Sequence, residues 1–317
     1  MTIKRHSLIM AAVQGGLFLA VGAGLTAALM FPNFSVEGKI SPLAAAFSIT
    51  TAAFFGGIIA AFGAVNTARK DYLEGKIQLE DPGAQAPLPR KPMFLVPTLD
   101  VTVQWLPFAG LTYAIAFGAF GDGLPRLPFV ALGAALIGLH SGLCAYRNSG
   151  RELKKYALNP PGEPSPFLSY AFREHVSGNA LINLFINFII TYAIFHSPEA
   201  PGAPVPLSAL VPDMLILALL VSVLVPIGAA MQAFCDVREK RAVPPTRSAP
   251  SLLARNLILI AAAQALALLI LAAIYVAGKD AVSIYSAMTV KAVFSAVIGG
   301  GAGFMTALWS AAAAREH

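Results

Sequence analysis

The chain has 317 residues, of which 57% are hydrophobic and only 12% are charged. Soluble domains carry about 25% charged residues, so this composition excludes an ordinary water-soluble protein and indicates one that folds in a lipid bilayer. A net charge of +6 would suit nucleic acid in a soluble protein. Here the basic residues fall in loops between apolar segments, which is typical of membrane topology, and we expect no nucleic-acid partner.

Eight apolar segments are each long enough to cross a bilayer, which takes about 20 residues. They are residues 8–30, 43–66, 98–120, 127–146, 177–196, 208–234, 253–277 and 284–311. Short turns rich in Pro, Gly and Asp join them in pairs, which predicts four antiparallel hairpins: 8–66, 98–146, 177–234 and 253–311. We therefore predict an all-α integral membrane protein formed by a single polytopic domain, residues 1–317.

The longer linkers between the hairpins, residues 67–97, 147–176 and 235–252, are polar and basic. Two of them contain proline-rich stretches, Pro82–Pro92 and Pro160–Pro166, which favour extended connectors without a fold of their own. The short turns on the other side hold only Lys39, Arg126 and Lys279. Because cytoplasmic loops are enriched in Lys and Arg, we predict that both termini are cytoplasmic. The short loops and the richness in Ala, Gly and Leu favour a location in the inner (plasma) membrane.

A weak internal repeat links the hairpins. The segment Thr112–Ile115 recurs as Thr191–Ile194, and Ile137-Gly138 matches Ile298-Gly299. This pattern favours related hairpins in one orientation. Apolar helices also resemble one another through composition alone, so the sequence does not decide whether the hairpins are true repeats.

Three asparagines, Asn179, Asn183 and Asn187, follow one another at intervals of one helical turn inside the fifth span. They must share one face of a helix. An amide without a partner is costly in hydrocarbon, so we expect that face to point into a protein bundle. The other odd-numbered spans carry a side-chain amide in the same half: Gln14, Gln104 and Gln264. These six residues form either a polar substrate path or a packing seam between helices.

Asp213 and Lys291 lie near the outer ends of the sixth and eighth spans. Charged residues within spans often mark function, and these two are placed to form an intramembrane ion pair. The alternative is that Asp213 lies at the headgroup level and that Lys291 extends its ammonium group to the same surface.

The sequence has no Walker A, G-x-G-x-x-G, H-E-x-x-H or C-x-x-C motif, and no pair of carboxylates in mid-span. We therefore expect no enzyme, no catalytic residue, no metal and no cofactor. Two functions remain. The first is a transporter or permease-like protein for a small or amphipathic substrate, with the amides along its path. The second is a non-catalytic scaffold or assembly subunit, whose polar residues serve packing and partner helices in the bilayer.

Overall fold

The computed structural model describes residues 1–30, 38–77, 95–156, 165–195, 202–245 and 249–315. The proline-rich stretch Pro82–Pro92 and most of Pro160–Pro166 lie outside the described residues. The chain divides into two compact units, Met1–Pro160 and Pro161–His317. The single polytopic domain inferred from the sequence stays a prediction.

In the described part of the first unit there are four long helices and two short strands. In chain order these are α1 (Ile3–Met30), β1 (Lys39–Ile40), α2 (Pro42–Leu73), α3 (Leu95–Ala119), β2 (Leu124–Pro125) and α4 (Arg126–Tyr156). Helix α4 packs on both α1 and α2, and α3 packs mainly on α2.

The second unit repeats that arrangement after a short helical entry. Its elements are α5 (Phe167–Ala171), a π-helical turn (Phe172–Val176), α6 (Ser177–Phe195), β3 (Val205–Pro206), α7 (Leu207–Arg238), α8 (Leu252–Val276), β4 (Ala281–Val282) and α9 (Ile284–Arg315). Helix α9 packs on both α6 and α7, and α8 packs mainly on α7.

Seven of the described helices are long and apolar enough to cross a membrane: α1, α2, α3, α4, α7, α8 and α9. Helix α6 coincides with the fifth predicted span. The predicted helical, multi-pass character is thereby confirmed, whereas the number of eight spans and the cytoplasmic termini stay predictions. Several helices extend beyond the predicted spans into the linker segments. The spans were bounded by their apolar residues, but polar residues can continue the same helix outside the bilayer.

The short strands join the two hairpins of each unit. Strands β1 and β2 pair antiparallel, with Ile40 opposite Leu124, and both side chains are fully buried. Strands β3 and β4 pair in the same way. The sequence predicted separate turns here. We call this end of each unit the strand end and the opposite end the linker end.

The structure groups the long helices in fours, and the strongest packing in each group, of α1 on α4 and of α7 on α9, joins helices of different predicted hairpins. The four antiparallel hairpins stay a prediction. Aligning Asp71 with Asp236 also aligns Thr50 with Leu215, and both backbone carbonyls accept a hydrogen bond from the neighbouring helix. Trp105 Nε1 donates to Thr50 O at 2.8 Å, and Gln264 Nε2 donates to Leu215 O at 3.0 Å. The repeating element is therefore the four-helix unit.

The alternative match of Thr112–Ile115 with Thr191–Ile194 aligns α3 with α6. These two helices differ in their packing, because α3 packs on α2 whereas α6 packs on α9. That match therefore does not relate equivalent positions.

Candidate functional site

The three asparagines of α6 bond to their own helix. Asn179 Nδ2 donates to His175 O at 2.7 Å, Asn183 Nδ2 to Asn179 O at 2.8 Å, and Asn187 Nδ2 to Asn183 O at 2.9 Å. Asn183 and Asn187 are buried, and Asn179 is half-buried. Each side chain thus uses one N–H donor on the carbonyl one turn earlier, so this donor has its partner within the helix.

Helix α9 covers this asparagine face with small residues. Ser295 Oγ donates to Asn183 O at 3.0 Å. A Cβ atom on Gly299 would lie 2.5 Å from Asn183 Nδ2, and one on Gly303 would lie 2.6 Å from Asn179 Nδ2. The amides of Asn179 and Asn183 therefore lie directly against the α9 backbone. We call these residues the amide seam: Asn179, Asn183, Asn187, Ser295, Gly299 and Gly303.

The three glutamines lie elsewhere. Gln14 is on α1, where its Nε2 packs beside Gly63 of α2. Gln104 is on α3 and donates to Asp100 Oδ2 at 2.7 Å. Gln264 is on α8 and donates to Leu215 O of α7, so it joins α8 to α7 and takes no part in the contact between α6 and α9. The structure therefore places Gln14 and Gln104 in the first unit, and within the second unit it keeps Gln264 apart from the seam.

Asp213 and Lys291 are brought together near the strand end of the second unit. The Lys291 ammonium contacts Asp213 Oδ2 and lies 5.4 Å from the centroid of the Phe195 ring. The Lys291 side chain is almost fully buried. A buried lysine requires a partner of this kind, because an isolated ammonium is costly away from water.

A charged cluster that the sequence reasoning missed lies at the linker end of the first unit. The buried carboxylate of Asp100 on α3 contacts Arg147 Nε at 3.1 Å and a terminal nitrogen of Arg151, both on α4. Asn148 Nδ2 also donates to it at 3.2 Å. The signal was present in the sequence as an acid near the start of one span and two arginines one turn apart at the end of its partner.

A second missed feature is a polar cap at the linker end of both units. Helices α2 and α7 end in the matching segments Asp71–Lys76 and Asp236–Arg241. In each, the last residue donates its backbone N–H to the carbonyl of the aspartate, at 2.9 and 2.8 Å. The residue before it has positive φ, +71° at Gly75 and +57° at Lys240. This is the Schellman ending, in which glycine is favoured.

The aspartate of each cap is tied to the first helical segment of its unit. His6 Nε2 lies 3.1 Å from Asp71 Oδ2, and Tyr170 OH donates to Asp236 Oδ2 at 2.6 Å. The hydroxyl of Tyr170 also lies 2.8 Å from His175 Nε2. In the first cap, a hydrogen bond from Lys76 lowers the pKa of the exposed Glu74. Both networks connect the ends of helices, so they stabilise the fold of each unit.

His140, in mid-span on α4, is packed. Its ring lies 4.6 Å from the Phe108 ring, centroid to centroid, and its Nε2 is 3.6 Å from Cys144 Sγ. Within the described part of the chain, no group of three or more His, Cys, Asp or Glu side chains is arranged to hold a metal ion.

Comparison of the chain with protein-family models, curated proteins and solved structures gives no match, so function must be argued from this geometry.

Proposed function

We propose that the protein is a non-catalytic scaffold or assembly subunit of the inner membrane, which holds the membrane-spanning helices of a partner. The observation that carries this proposal is the closed amide seam. The asparagine face of α6 is used to join α6 to α9, so it serves the architecture of the second unit.

A transporter that used this face as its path would need it wet in at least one state. Opening it means separating α6 from α9, which breaks the bond of Ser295 to Asn183 O and exposes the amides. Such a separation also removes the close packing of Asn179 and Asn183 against the α9 backbone, so the closed arrangement is favoured by its direct contacts. The contact of the amides with the glycine backbone therefore supports a static role.

The second candidate is a transporter or permease-like protein for a small or amphipathic substrate. Two observations favour it. Parallel structural repeats recur among transporters, and the two units share one architecture. The buried pair of Lys291 and Asp213 is also of a kind that often marks a translocation path.

Photo-crosslinking in native membranes tests the scaffold proposal. Helix α8 packs mainly on one neighbour, and Leu268 and Leu269 are strongly exposed on it, whereas Ala267 is fully buried. A benzophenone amino acid placed at Leu268 or Leu269 is expected to give one protein adduct of defined mass, identified by mass spectrometry. The same group at Ala267 provides the control and should give none. Adducts with lipid alone from both exposed positions, and from Leu106 on α3, would contradict a scaffold role.

A further inference from the structure

The cluster formed by Asp100, Arg147 and Arg151 carries one net positive charge near the end of the first unit. Both guanidinium groups contact the same carboxylate oxygen, Oδ1, while Gln104 and Asn148 donate to Oδ2. A guanidinium carries five N–H donors, which is more than a shared carboxylate oxygen can accept. About half of each arginine side chain, 48%, stays exposed. The cluster therefore holds two guanidinium groups against one carboxylate and leaves part of each group exposed, with N–H donors available to a ligand.

The arginines lie at the depth of lipid headgroups. Arg147 is ~30 Å along α4 from Arg126 at the strand end, because a helix rises about 1.5 Å per residue. The hydrocarbon core is about 30 Å thick, so a helix that begins at one boundary brings Arg147 to the other. Arg151 is one turn further. The predicted topology places this boundary on the cytoplasmic side, where anionic lipids attract basic residues.

An apolar surface continues from the arginines towards the middle of the bilayer. Leu143 and Leu139 lie one and two turns before Arg147 on the same face of α4, and both are exposed. Leu99 and Val103 of α3 are exposed as well. A headgroup held by the guanidinium groups would thus have its acyl chains beside leucine and valine side chains.

The second unit shows that the fold does not need these charges. Aligning Gly138 with Gly299 places Leu308 at the position of Arg147 and Ala312 at that of Arg151. Aligning Trp105 with Gln264 places the buried Leu259 at the position of Asp100. The same architecture is therefore built with apolar residues, and the charges of the first unit call for another explanation.

From these observations, we propose that Asp100, Arg147 and Arg151 form a binding site for the phosphate of an anionic phospholipid of the cytoplasmic leaflet. Paired guanidinium forks match a phosphate in geometry and charge. Asp100 orients the two arginines, and the excess positive charge selects an anionic headgroup. This site is independent of whether the protein is a scaffold or a transporter.

Native mass spectrometry of the full chain, titrated with phosphatidylglycerol or phosphatidylcholine, tests the proposal. The test variant is Asp100→Leu with Arg147→Leu and Arg151→Ala, which copies the residues of the second unit and leaves no unpaired charge. Its affinity for phosphatidylglycerol is expected to fall at least tenfold, with unchanged weak binding of phosphatidylcholine. Arg238→Gln, which removes a charge lying over the Phe234 ring, is the matched control and should bind as the wild type does.

Three results would overturn the proposal. The first is a wild-type protein that binds both lipids equally, and the second is a triple variant that keeps its preference for phosphatidylglycerol. The third is displacement of the lipid by millimolar inorganic phosphate, which would assign the site to a soluble anion. If the triple variant does not fold, Arg147→Lys with Arg151→Lys retains the charge and loses the forks. Its affinity should fall several-fold, and an unchanged affinity would exclude recognition by the guanidinium groups.

Discussion

Replacing Gly303 by alanine is expected to destabilise the second unit, because no space exists for a methyl group there. The added Cβ would lie 2.6 Å from Asn179 Nδ2 and 2.7 Å from the backbone oxygen of His175. The amide can move, but the backbone oxygen moves only together with the π-helical turn that carries it. Overpacking of this kind costs about 1–3 kcal/mol. The better helix propensity of alanine offsets up to about 1 kcal/mol of that cost.

Two further glycines of α9 serve as controls. Gly301 is exposed, and nothing apart from its own helix backbone lies within 4 Å of the place that an added methyl group would take, so Gly301→Ala should be neutral or slightly stabilising. Gly299→Ala brings a methyl group against the side chain of Asn183, which supplies the three nearest atoms, with Nδ2 at 2.5 Å. Its cost should therefore largely disappear in combination with Asn183→Ala, which makes this pair of changes non-additive.

The free energy of unfolding can be measured for these variants by SDS titration in mixed micelles. The expected order of stability is Gly301→Ala first, then Gly299→Ala, then Gly303→Ala. Equal stability of Gly303→Ala and Gly301→Ala would refute the close contact between α6 and α9. Simple additivity of Gly299→Ala and Asn183→Ala would show that these two residues do not touch.

Three other changes probe the rest of the second unit. Lys240→Gly should raise the free energy of unfolding by about 1 kcal/mol in the same titration, because Lys240 has positive φ at a helix end; a loss of stability would contradict the cap. Ala180→Cys with Gly300→Cys should form a disulfide on mild oxidation, seen as a gel shift, because the Ala180 Cβ lies 3.4 Å from the Cβ position of Gly300; a persistent dithiol would refute that register. Asp213→Asn and Lys291→Met should be strongly non-additive in a double-mutant cycle of unfolding, and additive effects would exclude the ion pair.

The membrane-spanning class was predictable because it depends on composition and on the length of apolar runs. The shared face of Asn179, Asn183 and Asn187 was predictable as well, because helical periodicity fixes it. The helix that covers this face was not. Gly299 and Gly303 have the same one-turn spacing as the asparagines, but several spans carry glycines, and periodicity cannot choose among them.

The features that the sequence reasoning missed depend on contacts between helices or between repeats. Asp100 was missed because its partners Arg147 and Arg151 lie on α4, far away in the chain. The matching caps at Asp71 and Asp236 become visible when the halves are aligned as four-helix units. Segments as short as single hairpins do not show this longer match.

The accessibility of the amide seam to water is the most direct test of the account. Single cysteines at each position from 179 to 187, in a chain without Cys144 and Cys235, can be treated with a membrane-impermeant thiol reagent from each side. A cysteine at the exposed Ser177 provides the positive control. A closed seam predicts labelling at Ser177 and none at 183 or 187 from either side. Labelling at 179, 183 and 187, with none at the positions between them, would mean a water-filled path and would contradict the static seam.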